Sequence, residues 1–316
     1  MRIAFLGTPE VAVPSLNALV AAPDIEVAVV LCNPDRPKGR SRTPVPPPVK
    51  VAAEAHGLTV WQPTRPREVL DDLVALDLDA CAVVAYGALL PPDVLAAGGA
   101  GYVNLHFSLL PRWRGAAPVQ HALRAGDPVT GITTFVLDQG MDTGDVLRRV
   151  EVPIEPEEGA GALLARLAEL GAPVLVASLQ ALHAGEVPVP QPAEGVTLAP
   201  KIAPEDVALD LSRPAGQLAD LIRSADPAPG AHTGFRGGRL KVYRASPLAL
   251  AEGEGDAAPG TVVATDRDGV VIACGTGRLR LTEVQPAGKP RMAAPAWANG
   301  ARIEVGERLG DPGDGA

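Results

Sequence analysis

The first 32 residues constrain the fold most. Residues 2–7 form a short apolar run ending in Gly7-Thr8-Pro9, and residues 25–32 (Ile-Glu-Val-Ala-Val-Val-Leu-Cys) form a second. Between them Leu16, Leu19 and Val20 continue a helical spacing, and Pro9 suits the first turn of a helix. Strand, helix, strand is a crossover unit, and crossover units build parallel sheets covered by helices. The same texture continues down the chain. The spacing predicts a helix near 48–56, a strand near 58–61, a helix near 66–76, and strands at 80–85 and 101–106. It then predicts a helix at 116–125 and a strand at 129–138. A long helix through Leu163, Leu167, Leu170, Leu175 and Leu179 follows, with a break expected at Pro173.

Two features interrupt this pattern. Residues 33–48 are basic and carry Pro44, Pro46, Pro47 and Pro48, which marks a long loop of the kind that is usually functional or disordered. Residues 186–200 are rich in Pro and Val without helical period and read as a connection between domains. Beyond about 204 short β-like runs at 239–243, 260–264, 269–274 and 278–282 are separated by Gly-rich turns, which suggests a small barrel. The expected division is therefore a domain over 1–186, a linker over 187–203, a second domain over 204–305 and a flexible tail over 306–316.

The length of 316 residues suits two domains, and an apolar fraction of 47% supplies their cores. No run of 18 uncharged apolar residues is found, so no membrane span is expected. Cys32, Cys81 and Cys274 are few, odd in number and far apart. They suit buried free thiols in a reducing cytoplasm, and their spacing resembles no metal site, so no metal is expected. A net charge of -9 argues against general binding of nucleic acid. The charge is uneven, however. Arg36, Lys38, Arg40, Arg42 and Lys50 face only Asp35 between 33 and 50, and Arg236, Arg239, Lys241 and Arg244 face no anion between 231 and 244. Local basic patches on an acidic chain suit a polyanion held at chosen places, although solvated loops are the commoner meaning of such runs.

The chemistry concentrates between Asn104 and Asp142. In a strand over Tyr102-Val103-Asn104-Leu105-His106, Asn104 and His106 share one face. An amide, an imidazole and a nearby carboxylate are what is needed to move an acyl carbon onto an amine. Singly each residue has an ordinary reading: Asn104 as a turn cap, His106 as a hydrogen-bonded strand end, Asp142 as the opening of an Asx turn before Gly144. The dinucleotide fingerprint GxGxxG does not follow the first strand, and no phosphate-cradling P-loop is present.

The run Asn104-Leu105-His106-Phe107-Ser108-Leu109-Leu110-Pro111-Arg112-Trp113-Arg114-Gly115-Ala116-Ala117-Pro118, with Gly140-Met141-Asp142-Thr143-Gly144-Asp145, closely resembles the methionyl-tRNA formyltransferase family. The resemblance extends to Gly7-Thr8-Pro9, Pro34-Asp35-Arg36-Pro37-Lys38-Gly39-Arg40, Val84-Ala85-Tyr86-Gly87, Ala199-Pro200-Lys201-Ile202 and Gln285-Pro286-Ala287-Gly288-Lys289. It implies an α/β fold: a Rossmann-like, mostly parallel sheet formyltransferase domain followed by a small OB-like β-barrel domain. It also implies transfer of a formyl group from 10-formyltetrahydrofolate, leaving tetrahydrofolate, to the α-amine of methionyl initiator tRNA. Asn104 and His106 would donate to the developing oxyanion, and Asp142 would hold His106 and help to take the amine proton. Tyr86, Gly87, Leu89 and Leu90, with Ser108, Leu109, Leu110 and Pro111, would line the folate pocket. Arg36, Lys38, Arg40, Arg42 and Lys201 would contact the tRNA.

The resemblance implies a cytoplasmic enzyme, with no membrane contact and no metal, and a monomer is expected. Three positions depart from the family pattern, which usually has aromatic residues where Leu198, Leu211 and Ala228 stand. The second domain would then contact RNA through phosphate-directed cations such as Lys201, Arg239, Lys241 and Lys289 rather than by stacking. Three other readings remain open here: a formyltransferase acting on another small amine, a hydrolase releasing formate from the same folate, and a non-catalytic RNA-binding protein.

Overall fold

The computed structural model describes residues 1–37, 43–249 and 257–310. The described chain forms two compact units. One takes the described residues of 1–118, 129–153 and 164–199, and the other those of 119–128, 154–163 and 200–310.

The first unit is built on a seven-stranded sheet. Its strands are β1 (Arg2–Gly7), β2 (Glu26–Leu31), β5 (Val60–Trp61), β6 (Ala80–Val84), β7 (Tyr102–His106), β8 (Val129–Val136) and β9 (Val146–Pro153). The order across the sheet is β5-β2-β1-β6-β7-β8-β9. The first five are parallel, and β8 and β9 are antiparallel additions. The chain moves outward from β1 to β2 and β5, then returns to the other side of β1 at β6. That reversal leaves a crevice at the carboxyl ends of β1 and β6, the place where open α/β sheets take their ligands. Two residue pairs outside the main sheet, β3 (Arg36–Pro37) and β4 (Pro44–Val45), pair with one another at the mouth of the basic loop.

Ile3, Ala4, Phe5 and Leu6 of β1 are all buried, as are all five residues of β6. Strands covered on both faces have no solvent side, which is why their sequences run apolar without alternation. Edge strand β9 is different. Only Leu147 and Val152 are buried, and Arg149, Val150 and Glu151 are exposed, so its charged sequence carried no strand signal. Helices α1 (Val13–Ala21), α2 (Pro48–Ala55), α3 (Leu70–Ala75) and α4 (Pro92–Leu95) connect the parallel strands.

Helix α5 (Pro118–Arg124) precedes β8, and α6 (Ala160–His183) follows β9. By length and composition α6 could cross a membrane. Here its Leu167, Ala168, Ala172, Leu175 and Leu179 are buried, and the Ser178 hydroxyl pairs with Thr134 of β8 at 2.7 Å. The break expected at Pro173 does not occur, for α6 runs through it. Pro173 removes the hydrogen bond to the Glu169 carbonyl, and both residues are exposed, so water can replace it. Gly171 sits against β7, where an added Cβ would come within 2.9 Å of the Leu105 side chain. That close approach fixes α6 against the residue lying between Asn104 and His106.

The second unit carries β10 (Ala231–Phe235), β11 (Gly238–Leu248), β12 (Val262–Asp266), β13 (Gly269–Ala273), β14 (Arg278–Pro286) and β15 (Met292–Ala293), with α7 (Ala215–Ser224) and α8 (Ala294–Ala301). The order is β10-β11-β14-β13-β12, all antiparallel, with β15 on β14. The antiparallel β domain expected from the sequence is present. The expected barrel is corrected in one respect: among the described residues no pairing joins β10 to β12, so the ladder is an open path. Its core gathers Leu218 and Ile222 from α7, Val242, Leu279 and Leu281 from the sheet, and Trp297 from α8. Phe235 meets Trp297 edge-to-face with ring centroids 5.2 Å apart.

All three cysteines are buried and free. Burial pushes the thiols of Cys32 and Cys274 up to about 11 and that of Cys81 up to about 12, which makes them inert as nucleophiles.

Candidate active site

Strand β7 ends at His106, a residue 7% exposed, while Asn104 is half-buried two residues before it. Phe135 of β8 closes one side of the imidazole, ring centroids 6.4 Å apart and nearly perpendicular. His106 Nε2 lies 2.9 Å from the backbone oxygen of Trp113. A carbonyl only accepts, so Nε2 carries the proton. The other nitrogen, Nδ1, faces Asp142 Oδ2 at 3.7 Å, within ion-pair reach and too long for a direct hydrogen bond. Among the described residues the Asn104 amide hydrogen-bonds no protein group, which leaves its N–H donors available to a ligand.

Asp142 comes from the loop between β8 and β9. Its Oδ2 accepts the Gly115 N–H at 2.7 Å. Gly115 has φ of 124°, and a Cβ there would stand 2.7 Å from the Ala199 carbonyl oxygen, so only glycine can offer its N–H this way. The Asx turn of this loop belongs to Asp138, whose Oδ1 accepts the Gly140 N–H at 2.9 Å and the Thr143 hydroxyl at 2.7 Å. The Asp142 carboxylate is thereby left to face His106. Six described non-glycine residues have positive φ, and three of them, Ala85, Trp113 and Asp142, lie in the loops that follow β6, β7 and β8. Such conformations cost on the order of 1–3 kcal/mol each and persist where surrounding contacts hold them.

The expected folate residues divide between core and surface. Tyr86, Leu90, Ser108, Leu110 and Pro111 are buried, Leu109 is half-buried, Gly87 is exposed and Leu89 is 84% exposed. Burial raises the Tyr86 phenol to about 12, so it stays neutral. Its carbonyl accepts the Thr8 hydroxyl at 3.0 Å and the Asn33 amide at 3.2 Å, which ties together the carboxyl ends of β6, β1 and β2. The next strand end is tied similarly. Ser108 donates to the Arg112 carbonyl at 2.6 Å, and Thr133 donates to Ser108 O at 2.7 Å. Both ties use backbone carbonyls, those of Tyr86 and Ser108, to fix the ends of their strands. Among the described residues no cluster of His, Cys, Asp and Glu could hold a metal.

Of the expected RNA contacts, Arg36 and Lys201 are exposed, and Lys38, Arg40 and Arg42 lie outside the described residues. Lys50, counted with them in the basic run, is engaged at the base of the loop. Its Nζ donates to both Asp35 oxygens at 3.0 Å and to Gln62 at 2.8 Å. Hydrogen bonds from Gln62 and Lys50 hold the Asp35 carboxyl below its usual range, and Asp35 raises Lys50. In the second unit Lys241 donates to the Pro229 carbonyl at 2.8 Å. The three positions that depart from the family pattern separate physically: Leu198 and Ala228 are exposed, whereas Leu211 is buried in the core of the second unit. A residue at 211 contributes volume to that core and has no free face for a base.

A protein of Streptomyces coelicolor named methionyl-tRNA formyltransferase is 49% identical over 314 residues, covering 98% of this chain and 100% of its own. The chain belongs to the methionyl-tRNA formyltransferase family. The like-named protein of Thermobifida fusca is also 49% identical, over 98% of this chain and 100% of its own. The formyl transferase family model matches residues 1–179 and the formyl transferase C-terminal domain model residues 201–302. Among solved structures, HypX from Aquifex aeolicus superposes with a TM-score of 0.66 at 18% identity over 97% of this chain, which spans about half of the HypX chain (48%). An N-formyltransferase from Helicobacter canadensis gives 0.66 at 14% identity over 90% of this chain and 98% of its own. At such identities the two structures show a shared fold.

The sequence reading of this formyltransferase left two polar residues unused, both in the expected linker. Gln191 donates to the carbonyls of Asp142 at 2.9 Å and Gly144 at 2.8 Å, and accepts from Arg114 at 2.7 Å. Thr197 accepts the Trp113 N–H at 2.8 Å. A Pro-rich segment without period carries no local signal for such contacts, which become visible only when distant loops meet.

Proposed function

We propose that this chain transfers the formyl group of 10-formyltetrahydrofolate to the α-amine of methionyl initiator tRNA. Full-length identity to proteins of that name supports the reaction, and one observation supports the site: an unengaged amide, an imidazole and a carboxylate converge at the end of β7. The folate supplies a formyl carbon already bonded to a nitrogen leaving group. The acceptor amine's lone pair forms the new C–N bond, the bond to the folate nitrogen breaks, and one amine proton ends on that nitrogen. Asn104 donates an N–H to the formyl oxygen as negative charge develops there. Trp113 occupies Nε2, so His106 acts through Nδ1, donating from it when charged and accepting when neutral. Asp142 steadies that charge and takes the amine proton through water, from where it passes to the folate nitrogen as that bond breaks. Charge stabilisation aimed at the transition state accelerates the step.

The backbone of Tyr86, Gly87, Leu89 and Leu90 and of Ser108, Leu109, Leu110 and Pro111 holds the folate in this reading. Arg36 and Lys201, with Lys38, Arg40 and Arg42, contact tRNA phosphates. A formyltransferase domain over 1–186, a connection over 187–203, a tRNA-binding domain over 204–305 and a tail beyond suit the two matched family models. The chain acts as a cytoplasmic monomer, without a membrane, where its buried thiols stay reduced. The test is formyl transfer to charged initiator tRNA, measured against small amines and against water. Consumption of the folate without formylated tRNA would overturn the acceptor and leave the folate site standing.

A further inference from the structure

We propose that residues 191–199 are a positioning strap for the catalytic groups, with Gln191 setting Asp142 and Thr197 setting His106. The inference rests on the catalytic reading of those two residues. Its basis is that one short segment bonds to backbone at both halves of the site, through Gln191 at Asp142 and through Thr197 at Trp113.

Gln191 is half-buried, and every group of its amide is used. Both N–H donors go to carbonyls of the 142–144 loop, and its oxygen takes Nε and Nη2 of Arg114 at 3.2 and 2.7 Å. One of those carbonyls belongs to Asp142, which stands at φ 53°. In that left-handed conformation the peptide oxygen turns toward Gln191, while the carboxylate turns toward Gly115 and His106. Without the amide, two carbonyls and a guanidinium lose partners, and the direct hydrogen bond to the Asp142 backbone is gone.

Thr197 acts at one remove. Trp113 stands at φ 64°, with its N–H on Thr197 Oγ1 and its carbonyl on His106 Nε2. The hydroxyl therefore holds the backbone that selects which imidazole nitrogen is protonated, and so which one faces the substrates. Backbone bonds set the strap itself in place: Arg114 N–H to Thr197 O at 2.9 Å, Ala199 N–H to Arg114 O at 2.7 Å, and Ala117 N–H to Ala199 O at 3.0 Å. These bonds hold the Thr197 end, and Val189, just before Gln191, exchanges backbone bonds with Val146 at 2.7 and 2.8 Å, so the strap stays seated when either side chain is changed, and geometry at the site and folding of the chain can be separated.

The experiment is steady-state formyl transfer to methionyl initiator tRNA by the full chain, with thermal unfolding measured beside it. Wild type is compared with Thr197→Val, Thr197→Ser, Gln191→Ala and Gln191→Glu. Misplacing a reacting group by about 1 Å costs on the order of 10²-fold, so kcat in Thr197→Val and Gln191→Ala should fall on the order of 10- to 100-fold. KM for both substrates should hold. Thr197→Ser, which keeps the hydroxyl, should restore kcat. Gln191→Glu keeps the Arg114 contact but sets a carboxylate against the loop carbonyls, and should behave as Gln191→Ala does. Equal kcat for Thr197→Val and Thr197→Ser would overturn the proposal. So would a rise in KM for tRNA at constant kcat, which would make the strap an RNA contact, or a loss that merely follows the unfolded fraction. If wild type transfers no formyl group to the tRNA, the proposed function fails and takes the strap with it. If wild type transfers it and Thr197→Val is as fast, the strap alone fails.

Discussion

The loops around His106 and the core of the second unit are held together by opposite means. Around His106, three non-glycine residues sit at positive φ, and side chains bond to backbone: His106 to Trp113, Ser108 to Arg112, Gln191 to Asp142 and Gly144. In the second unit, antiparallel pairing surrounds buried Leu, Val and Trp side chains. Apolar burial is strong and non-directional, so it secures a fold without fixing any one atom closely. Hydrogen bonds are weak in net energy but directional, so they place atoms at little cost to overall stability. Truncation should therefore cost stability in the core and rate in the loops.

The largest effect tests the first half. Trp297→Ala removes an indole packed on Phe235 in a buried cluster, which typically costs about 3–5 kcal/mol. Urea unfolding of the full chain should show the loss, with kcat per folded molecule kept. A fall in kcat that exceeds the unfolded fraction would break the contrast. Asn104→Ala tests the second half. It should lower kcat on the order of 10²–10³-fold, as loss of an oxyanion donor does, while the urea midpoint stays in place. An unchanged rate would remove Asn104 from the chemistry.

Smaller effects sharpen the contrast at charged groups. Arg36 is exposed and Lys50 is clamped between Asp35 and Gln62. Arg36→Ala should lower the salt slope of tRNA binding by roughly one, whereas Lys50→Met should leave that slope alone. Filter binding at several ionic strengths reads both, and a reduced slope for Lys50→Met would make the clasp an RNA contact. The smallest effect is at His232. Burial, then Arg239 and Lys241, lower its pKa from 6.5. Between the lowered folded value and the ordinary one, the unfolded chain binds more protons. Stability is therefore level above about 6.5, falls as the pH drops below it, and stops falling once the folded value is passed. His232→Gln should flatten that part of a plot of unfolding midpoint against pH, and an unaltered plot would assign the dependence to another group.

Much of this was legible in the residues, and where it was not the reason is physical. Apolar strands buried on both faces announce themselves, so β1, β2 and β6 could be read. Charged edge strand β9 and the amphipathic helix α7 could not, since their burial depends on what covers them. Pro173 pointed to a break because local rules forbid it in a helix, and the tertiary setting placed its missing bond in water. At Leu211 the departure from the family pattern pointed to a lost stacking platform, and burial reassigned the position to the core.

Strand period two places Asn104 and His106 on one face whatever surrounds them, and the order of elements commits the chain to a parallel sheet followed in sequence by an antiparallel domain. Those properties are local, or follow from connectivity, so the amino-acid sequence alone determines them. The approach of Asp142 to His106, the choice of Nδ1 as the working nitrogen and the hold of Gln191 and Thr197 on the site join residues up to 84 positions apart. Each depends on directional bonds between loops that carry no period of their own, so only the folded structure decides them.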